Sequence, residues 1–337
     1  MRHAVIRAGL EATALSRAAR LVPTVGGRGL IFTLHHVRPH EKAPFSPNAA
    51  LSVTPEFLEK AVVAALDGGL VPVHLHALPA LLAEPDGRKF VAFTLDDGYR
   101  NNAQFAAPVF RRYGIPYTIF ITAGFVERKR TLWWETAAEL AGRGTGFVFD
   151  FGRGPEEVPA RTLAQKNAAF ARLAAYVHAI QEDEAVARID TAAAEAGIDA
   201  GSIVRELVMD ADELKALAED PLVHFGAHTV THVNLRRVPA KRLNEEITES
   251  ARAVERYVGS SPRSFAYPYG GRSAAGPREM AAVAEAGFSA AVTTQPGRLE
   301  AACLEQPTGL PRVSLNGLFQ KKRYVAALMT GLPFRFT

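Results

Sequence analysis

Two short stretches of the chain carry side chains whose types and spacing suit them to chemistry. In FVAFTLDDGY an apolar run from Val91 to Leu95 ends in adjacent carboxylates, Asp96 and Asp97, and Gly98 permits a sharp turn. Adjacent acids repel, so the pair is stable only beside a cation or with a shared proton. Taken alone, the stretch is also an ordinary strand followed by an Asp-Gly turn. The second stretch, HFGAHTVTH, places His228 and His232 four positions apart after another short apolar run. On a helical turn that spacing aims both rings the same way. Two imidazoles and a carboxylate make a three-ligand site for a catalytic ion with a position left open for water. Lone histidine pairs at this spacing are often unrelated surface residues, but two strand ends that would meet on one rim favour a shared site of Asp97, His228 and His232. The second Asp beside ion-activated water is a natural general base, and the attack creates an oxyanion that needs N–H donors.

The elements that must position these residues alternate between strand and helix. Gly29–His36 reads as a first strand, and Thr54 caps a helix opened by Pro55 and stopped by Asp67-Gly68-Gly69. Phe90–Leu95, Tyr117–Thr122, Leu222–Gly226, Ser264–Pro268, Phe288–Thr293 and a last run near Leu310–Val313 complete about seven strands. Helices are expected over Ala103–Tyr113, Pro239–Val258 and Pro277–Ala286. This is the rhythm of a closed (β/α) barrel rather than an open sheet. From about residue 127 to 219 the pattern turns Ala-rich and largely helical, an insertion that begins with Leu132-Trp133-Trp134-Glu135. Adjacent tryptophans are more often anchors of a core than stacking platforms for sugar rings. The expected organisation is an N-terminal helical segment over 1–28, a barrel over 29–315 and a C-terminal tail over 316–337.

Composition narrows the function classes. With 48% apolar and 22% charged residues the chain is an ordinary globular protein. Its net charge of +4 lacks a basic block interleaved with aromatics, so no nucleic-acid partner is expected. Cys303 is the only cysteine, which excludes a thiolate zinc site and an internal disulfide framework. No run of roughly 18 apolar residues exists to span a membrane. The first residues, MRHAVIRAGLEATALSRAARLV, lack the uninterrupted apolar stretch of a secretory signal. Ile6, Leu10 and Leu21 share a helical face that Arg17 interrupts, which leaves a docking helix favoured over a membrane-surface one.

Three motifs taken in order resemble the polysaccharide deacetylase family, carbohydrate esterase family 4, whose deacetylase domain is a distorted (β/α)7 barrel, here with a helical insertion. TLDDGY resembles the first motif and implies Asp96 as base and Asp97 as metal ligand. HTVTH resembles the second and implies His228 and His232 as the other ligands, with Thr229 supporting the turn. FAYPYG, Phe265–Gly270, resembles the third and implies the Tyr269 amide, beside Pro268, as an oxyanion donor. The family's Arg two residues before that proline is replaced by Ala266, and no histidine follows His232 to serve as the C-terminal acid. A general acid must still protonate the leaving amine. His35 at the end of the first strand is the best placed, as in the branch acting on poly-N-acetylglucosamine. His36 competes with it, since strand alternation lets only one face the barrel axis. Arg312, in LPRVS, is a candidate to replace the missing brace. His74, His76 and His224 read as structural.

The resemblance implies a metal-dependent hydrolase that deacetylates N-acetylated amino sugars of a bacterial surface polysaccharide (an exopolysaccharide) or its lipid-linked precursor. Zinc is the default ion, and Co2+, Ni2+ or Fe2+ also suit such ligands. Without a leader the expected place of action is the cytoplasm, with peripheral contact at the inner membrane open. Rival readings are a deformylase of a lipid-linked formamido sugar, a small cyclic-amide hydrolase, and a non-catalytic glycan-binding relative. Retention of Asp96 argues against the last. A two-carboxylate glycosidase leaves the histidine pair unexplained.

Overall fold

The computed structural model describes residues 2–15, 27–40 and 43–331, and within the first helix the side chains of residues 7–13. Arg17 and Leu21 of the N-terminal segment lie outside the described residues, and so does the side chain of Ile6. Strands follow in chain order as β1 (Gly29–Leu34), β2 (His36–Val37), β3 (Ser52–Val53), β4 (Val71–Pro72), β5 (Phe90–Leu95), β6 (Tyr117–Ile121), β7 (Gly146–Asp150), β8 (Pro155–Pro159), β9 (Val223–Ala227), β10 (Ser264–Ala266), β11 (Ala290–Val292) and β12 (Val313–Ser314). Seven of them pair side by side in the order β11-β10-β9-β6-β5-β1-β12, all parallel, and β4 adds to the start of β5. Parallel pairing needs crossover connections, and helices such as Pro55–Asp67 and Ala240–Val258 make them. The two edges of the curled sheet approach through Leu310, whose carbonyl accepts from Thr293 N at 2.9 Å and whose N–H reaches Ala291 O at 2.8 Å. The result is a distorted (β/α)7 barrel.

β1 and β5 are buried along their whole length, which is why they read as unbroken apolar runs instead of alternating ones. Strand alternation still sorts their side chains. Ile31, Phe90, Ala92, Phe120, Ala266 and Val292 join one cluster, and Leu30, Phe32, Leu34, Val91, Phe93 and Leu95 join another that packs on the helices. Thr54 Oγ1 accepts from Phe57 N at 3.2 Å, so the cap read from the sequence closes the first turn of the helix Pro55–Asp67.

Several local expectations are corrected. The first strand stops at Leu34; His35 lies at a bend and His36 starts a separate strand paired with β3. The helix before Tyr113 opens with a π-type turn over Asn102–Ala106. The last strand is Val313–Ser314, and Leu310 makes only an isolated bridge to Val292. The insertion is largely helical as expected, with one antiparallel hairpin, β7 and β8, that the pattern did not show. The segment after 316 carries a helix, Lys322–Met329, whose Tyr324, Val325, Ala327 and Met329 are buried. Arg323 and Lys321 bond Glu11 of the first helix, and Lys322 bonds Asp67, so this basic run is engaged within the protein. No helix among the described residues is long and apolar enough to cross a membrane. His74, His76 and His224 pack ring against ring, with centroids 4.3 to 6.3 Å apart, near the N-terminal end of β9 and away from the carboxylate pair.

Candidate active site

The C-terminal ends of β5 and β9 deliver the acids and the first histidine. Asp96 N still pairs with Leu34 O at 3.0 Å, and the backbone then turns through Asp97 at φ 74° and Gly98 at φ 68°. Five non-glycine residues among those described have positive φ: Asp97, Arg128, Thr229, His232 and Tyr269. Four of them belong to the three motifs. A left-handed Thr is strained, and such strain persists only where the surroundings enforce it, typically at functional sites. His228 and His232 do not sit on a helical turn as their spacing predicted. They flank an irregular loop, and the left-handed residues at 229 and 232 fold it back so that both rings meet Asp97. Thr229 Oγ1 accepts from His232 N at 2.9 Å and closes the loop, the supporting part expected of it.

One donor atom from each of Asp97, His228 and His232 lies within 4.8 Å of the other two. His228 Nε2 is 3.6 Å and His232 Nε2 3.4 Å from Asp97 Oδ1. That oxygen is buried and has no hydrogen-bond partner. Two donors bound to one ion at roughly 2.0–2.2 Å stand about 3.4 Å apart in a tetrahedral shell, so the set fits a divalent cation. His228 Nδ1 bonds Ala266 O at 2.7 Å, which leaves Nε2 free to ligate. The His232 ring is fixed by packing against Trp134, Tyr269 and Phe125, with centroids 4.9, 5.3 and 5.7 Å away.

The electrostatics separate the two acids. Burial alone would raise Asp96, but the charge and hydrogen bonds of Arg312 outweigh it and hold that carboxyl well below the usual range. Arg312 Nη1 and Nη2 donate to Asp96 Oδ1 and Oδ2 at 2.6 and 2.7 Å, with further bonds to Thr94 Oγ1 and Thr293 O. A fully buried guanidinium thus stands where position 266 offers only a methyl group. Asp97 has no such partner, and burial followed by repulsion from Asp96 pushes it well above the usual range. Burial also lowers both His228 and His232, so each is neutral and ready to ligate at pH 7.

The two candidate acids diverge. His35 faces inward, its Nε2 4.0 Å from Asp96 Oδ2 and its side chain 23% exposed. Burial lowers it to about 4, with Asp96 pulling the other way. His36 faces away, fully buried, its ring stacked 3.6 Å from Tyr99 and its Nδ1 2.8 Å from Asn101 Nδ2. Tyr269 stands at φ 63° beside Gly270, and among the described residues no acceptor takes its N–H. Buried Pro268 turns the chain there, its carbonyl accepting from Gly270 N at 2.7 Å.

A model of polysaccharide deacetylases matches residues 83–148 and 171–291, more than half of the chain. The chain belongs to the polysaccharide deacetylase family. No curated protein matches it. Among solved structures it is similar to the deacetylase PplD of Streptococcus pyogenes, with 16% identity, a TM-score of 0.56, and coverage of 86% of this chain and 92% of that one. It is also similar to a polysaccharide deacetylase of Bacillus cereus, with 13% identity, a TM-score of 0.55, and coverage of 89% and 68%. IcaB of Ammonifex degensii follows at 16% identity and a TM-score of 0.53, with coverage of 91% and 98%. At such identities these likenesses speak for the fold.

The matched stretch of this family member contains Asp96, Asp97, His228, His232 and Tyr269; His35 and Arg312 lie outside it and rest on geometry. Several residues around the site were not found from the sequence. Tyr99 OH accepts from Trp134 Nε1 at 3.0 Å, while Trp133 Nε1 donates to Tyr269 OH at 3.0 Å. Both tryptophans are buried, as the core reading held, and Trp134 also packs on the His232 ring. Tyr269 OH in turn bonds the buried Glu182 of the insertion. Of these only the tryptophans carried a signal, their adjacency.

Two outcomes follow from these electrostatics. Arg312→Met strands a buried carboxylate and should cost roughly 3–5 kcal/mol of stability, part of which Arg312→Met with Asp96→Asn recovers; urea unfolding measures both, and equal loss in the single and double variants would contradict the pairing. Asp97 has a folded pKa above its unfolded one, so its penalty appears as pH rises past about 4, and a cation that replaces its proton relieves it. The rise in Tm on adding zinc should therefore be small near about pH 5 and grow by several degrees toward about pH 7.5; a rise independent of pH would contradict the assignment.

Proposed function

We propose that the protein is a metal-dependent N-deacetylase of N-acetylated amino sugars in a bacterial surface polysaccharide or its lipid-linked precursor, acting in the cytoplasm. The observation that carries this is the pairing of a buried His-His-Asp set around an unpartnered carboxylate oxygen with a second carboxylate locked by arginine. Asp97, His228 and His232 would hold the ion, zinc by default. When bound, it supplies Lewis acidity, polarising the amide carbonyl and acidifying water.

The chain's own groups do the rest. Arg312 keeps Asp96 ionised and fixed in the plane of the guanidinium, ready to take a proton from the attacking water. The Tyr269 N–H meets the oxyanion, and its rigid setting between Trp133 and Glu182 means that it need not reorganise as charge develops. His35, whose Nε2 lies 4.0 Å from Asp96 Oδ2, takes up the proton that Asp96 accepts from water and delivers it to the departing amine. Burial holds its ring neutral at rest; Asp96 and the negative charge growing on the reacting carbonyl both favour the protonated ring when the amine needs it. The non-catalytic alternative loses its main support, because the brace absent from position 266 is provided by Arg312.

Amine release from N-acetylglucosamine oligomers by the zinc-reconstituted protein tests this. Asp96→Asn should lower kcat by about 10²–10⁴-fold, and His35→Ala should lower it with little change in KM. Undiminished activity in Asp96→Asn, or tight zinc binding with no turnover of oligomers or lipid-linked acetamido sugars, would overturn the proposal.

A further inference from the structure

The loop carrying His232 is gripped on both sides by groups outside the chemistry assigned above. From the helix Ala240–Val258 the Glu246 carboxylate accepts from Val230 N and Thr231 N, both at 2.9 Å, through one oxygen, and from the Thr231 hydroxyl through the other. On the opposite side Thr122 Oγ1 donates to His228 O at 2.9 Å, Ala123 N to Thr229 O at 3.2 Å and Gly124 N to Val230 O at 2.7 Å. A Cβ at Gly124 would lie 2.6 Å from Val230 O, so the close approach requires glycine there. Glu246 is buried, whereas Glu245, Glu249 and Glu255 of the same helix are exposed. Arg242 lies 3.4 Å from Glu246 Oε1 and 3.2 Å from Thr231 Oγ1, and it also bonds Asp183, which Arg130 meets at 2.9 Å. Asp183 stands on the helix Glu182–Glu195, so the insertion reaches the metal loop through this cluster.

We propose that Glu246 is a positioning residue for the metal centre. By gathering two consecutive N–H groups it stabilises the backbone in which Thr229 and His232 are left-handed, and that backbone sets His232 Nε2 against Asp97. Neutral water in its place would leave the loop free to relax toward ordinary φ and draw His232 away. Glu246 touches neither substrate nor ion; it acts only through His232. This rests on Asp97, His228 and His232 being the metal ligands.

The test is zinc affinity, measured on the full metal-free chain by competition with a chromophoric chelator, with circular dichroism to confirm folding. Glu246→Ala should weaken zinc binding about 10–100-fold. Glu246→Gln, which keeps one acceptor for the two N–H groups, should recover part of that loss, and Glu249→Ala on the exposed face should bind as the parent does. The absorption bands of the cobalt-loaded protein should shift in Glu246→Ala and not in Glu249→Ala. Parent-like affinity in Glu246→Ala, or an equal loss in Glu249→Ala, overturns the proposal. If Glu246→Ala does not fold, Thr231→Val and Glu246→Gln decide it, and parent-like affinity in both overturns it. A parent that binds zinc no better than His232→Ala would instead remove the metal-site assignment itself, and this inference with it.

Discussion

Two carboxylates adjacent in sequence and both buried cannot both carry charge unless each finds a positive partner. The barrel answers this constraint in two ways. Arg312 arrives from the approach to β12 and takes Asp96 in a bidentate grip, its own charge shielded from water by burial. Asp97 is left facing two neutral imidazoles and no fixed cation, an arrangement that would suit a divalent ion. The division of labour between the acids follows from that asymmetry. One is fixed as an anion by a guanidinium, and the other is available as a ligand.

The geometry that exploits this asymmetry is held by strained backbone. Asp97, Thr229, His232 and Tyr269 all adopt left-handed conformations at the mouths of three strands. Each is over-determined by its neighbours: Asp97 by the continuation of β1 pairing and by Gly98, the histidine loop by Glu246 and Gly124, and Tyr269 by Trp133 and Glu182. The insertion contributes to the last two of these supports. It is part of the wall of the site as well as a decoration of the barrel.

Much of this was legible in the sequence, for identifiable reasons. The acids and both metal-site histidine candidates lie within short contiguous stretches after apolar runs; His35 and His36 face opposite ways through a bend at His35 and a change of strand, not through alternation along one strand. The four-residue histidine spacing was legible as a pair but misleading as a helix, because left-handed residues produce the same convergence and Thr229 gives no sign of its φ. Arg312 is 216 residues from Asp96, and nothing in LPRVS marks its partner, so only the gap at Ala266 pointed to it. Glu246 resembles any other acid on an amphipathic helix until burial is known. The β7–β8 hairpin was missed because Pro155–Pro159 carries two glutamates and a proline at each end, a composition poor in strand formers.

The proposed chemistry depends on a divalent ion that Asp97, His228 and His232 would hold. Its most direct test is elemental analysis of the purified protein together with X-ray absorption at the edge of the bound metal. One divalent ion per chain, with two imidazoles and a carboxylate among its ligands and lost in His228→Ala, is the predicted result. Metal content unchanged in His228→Ala, or a ligand shell without imidazole, would contradict it.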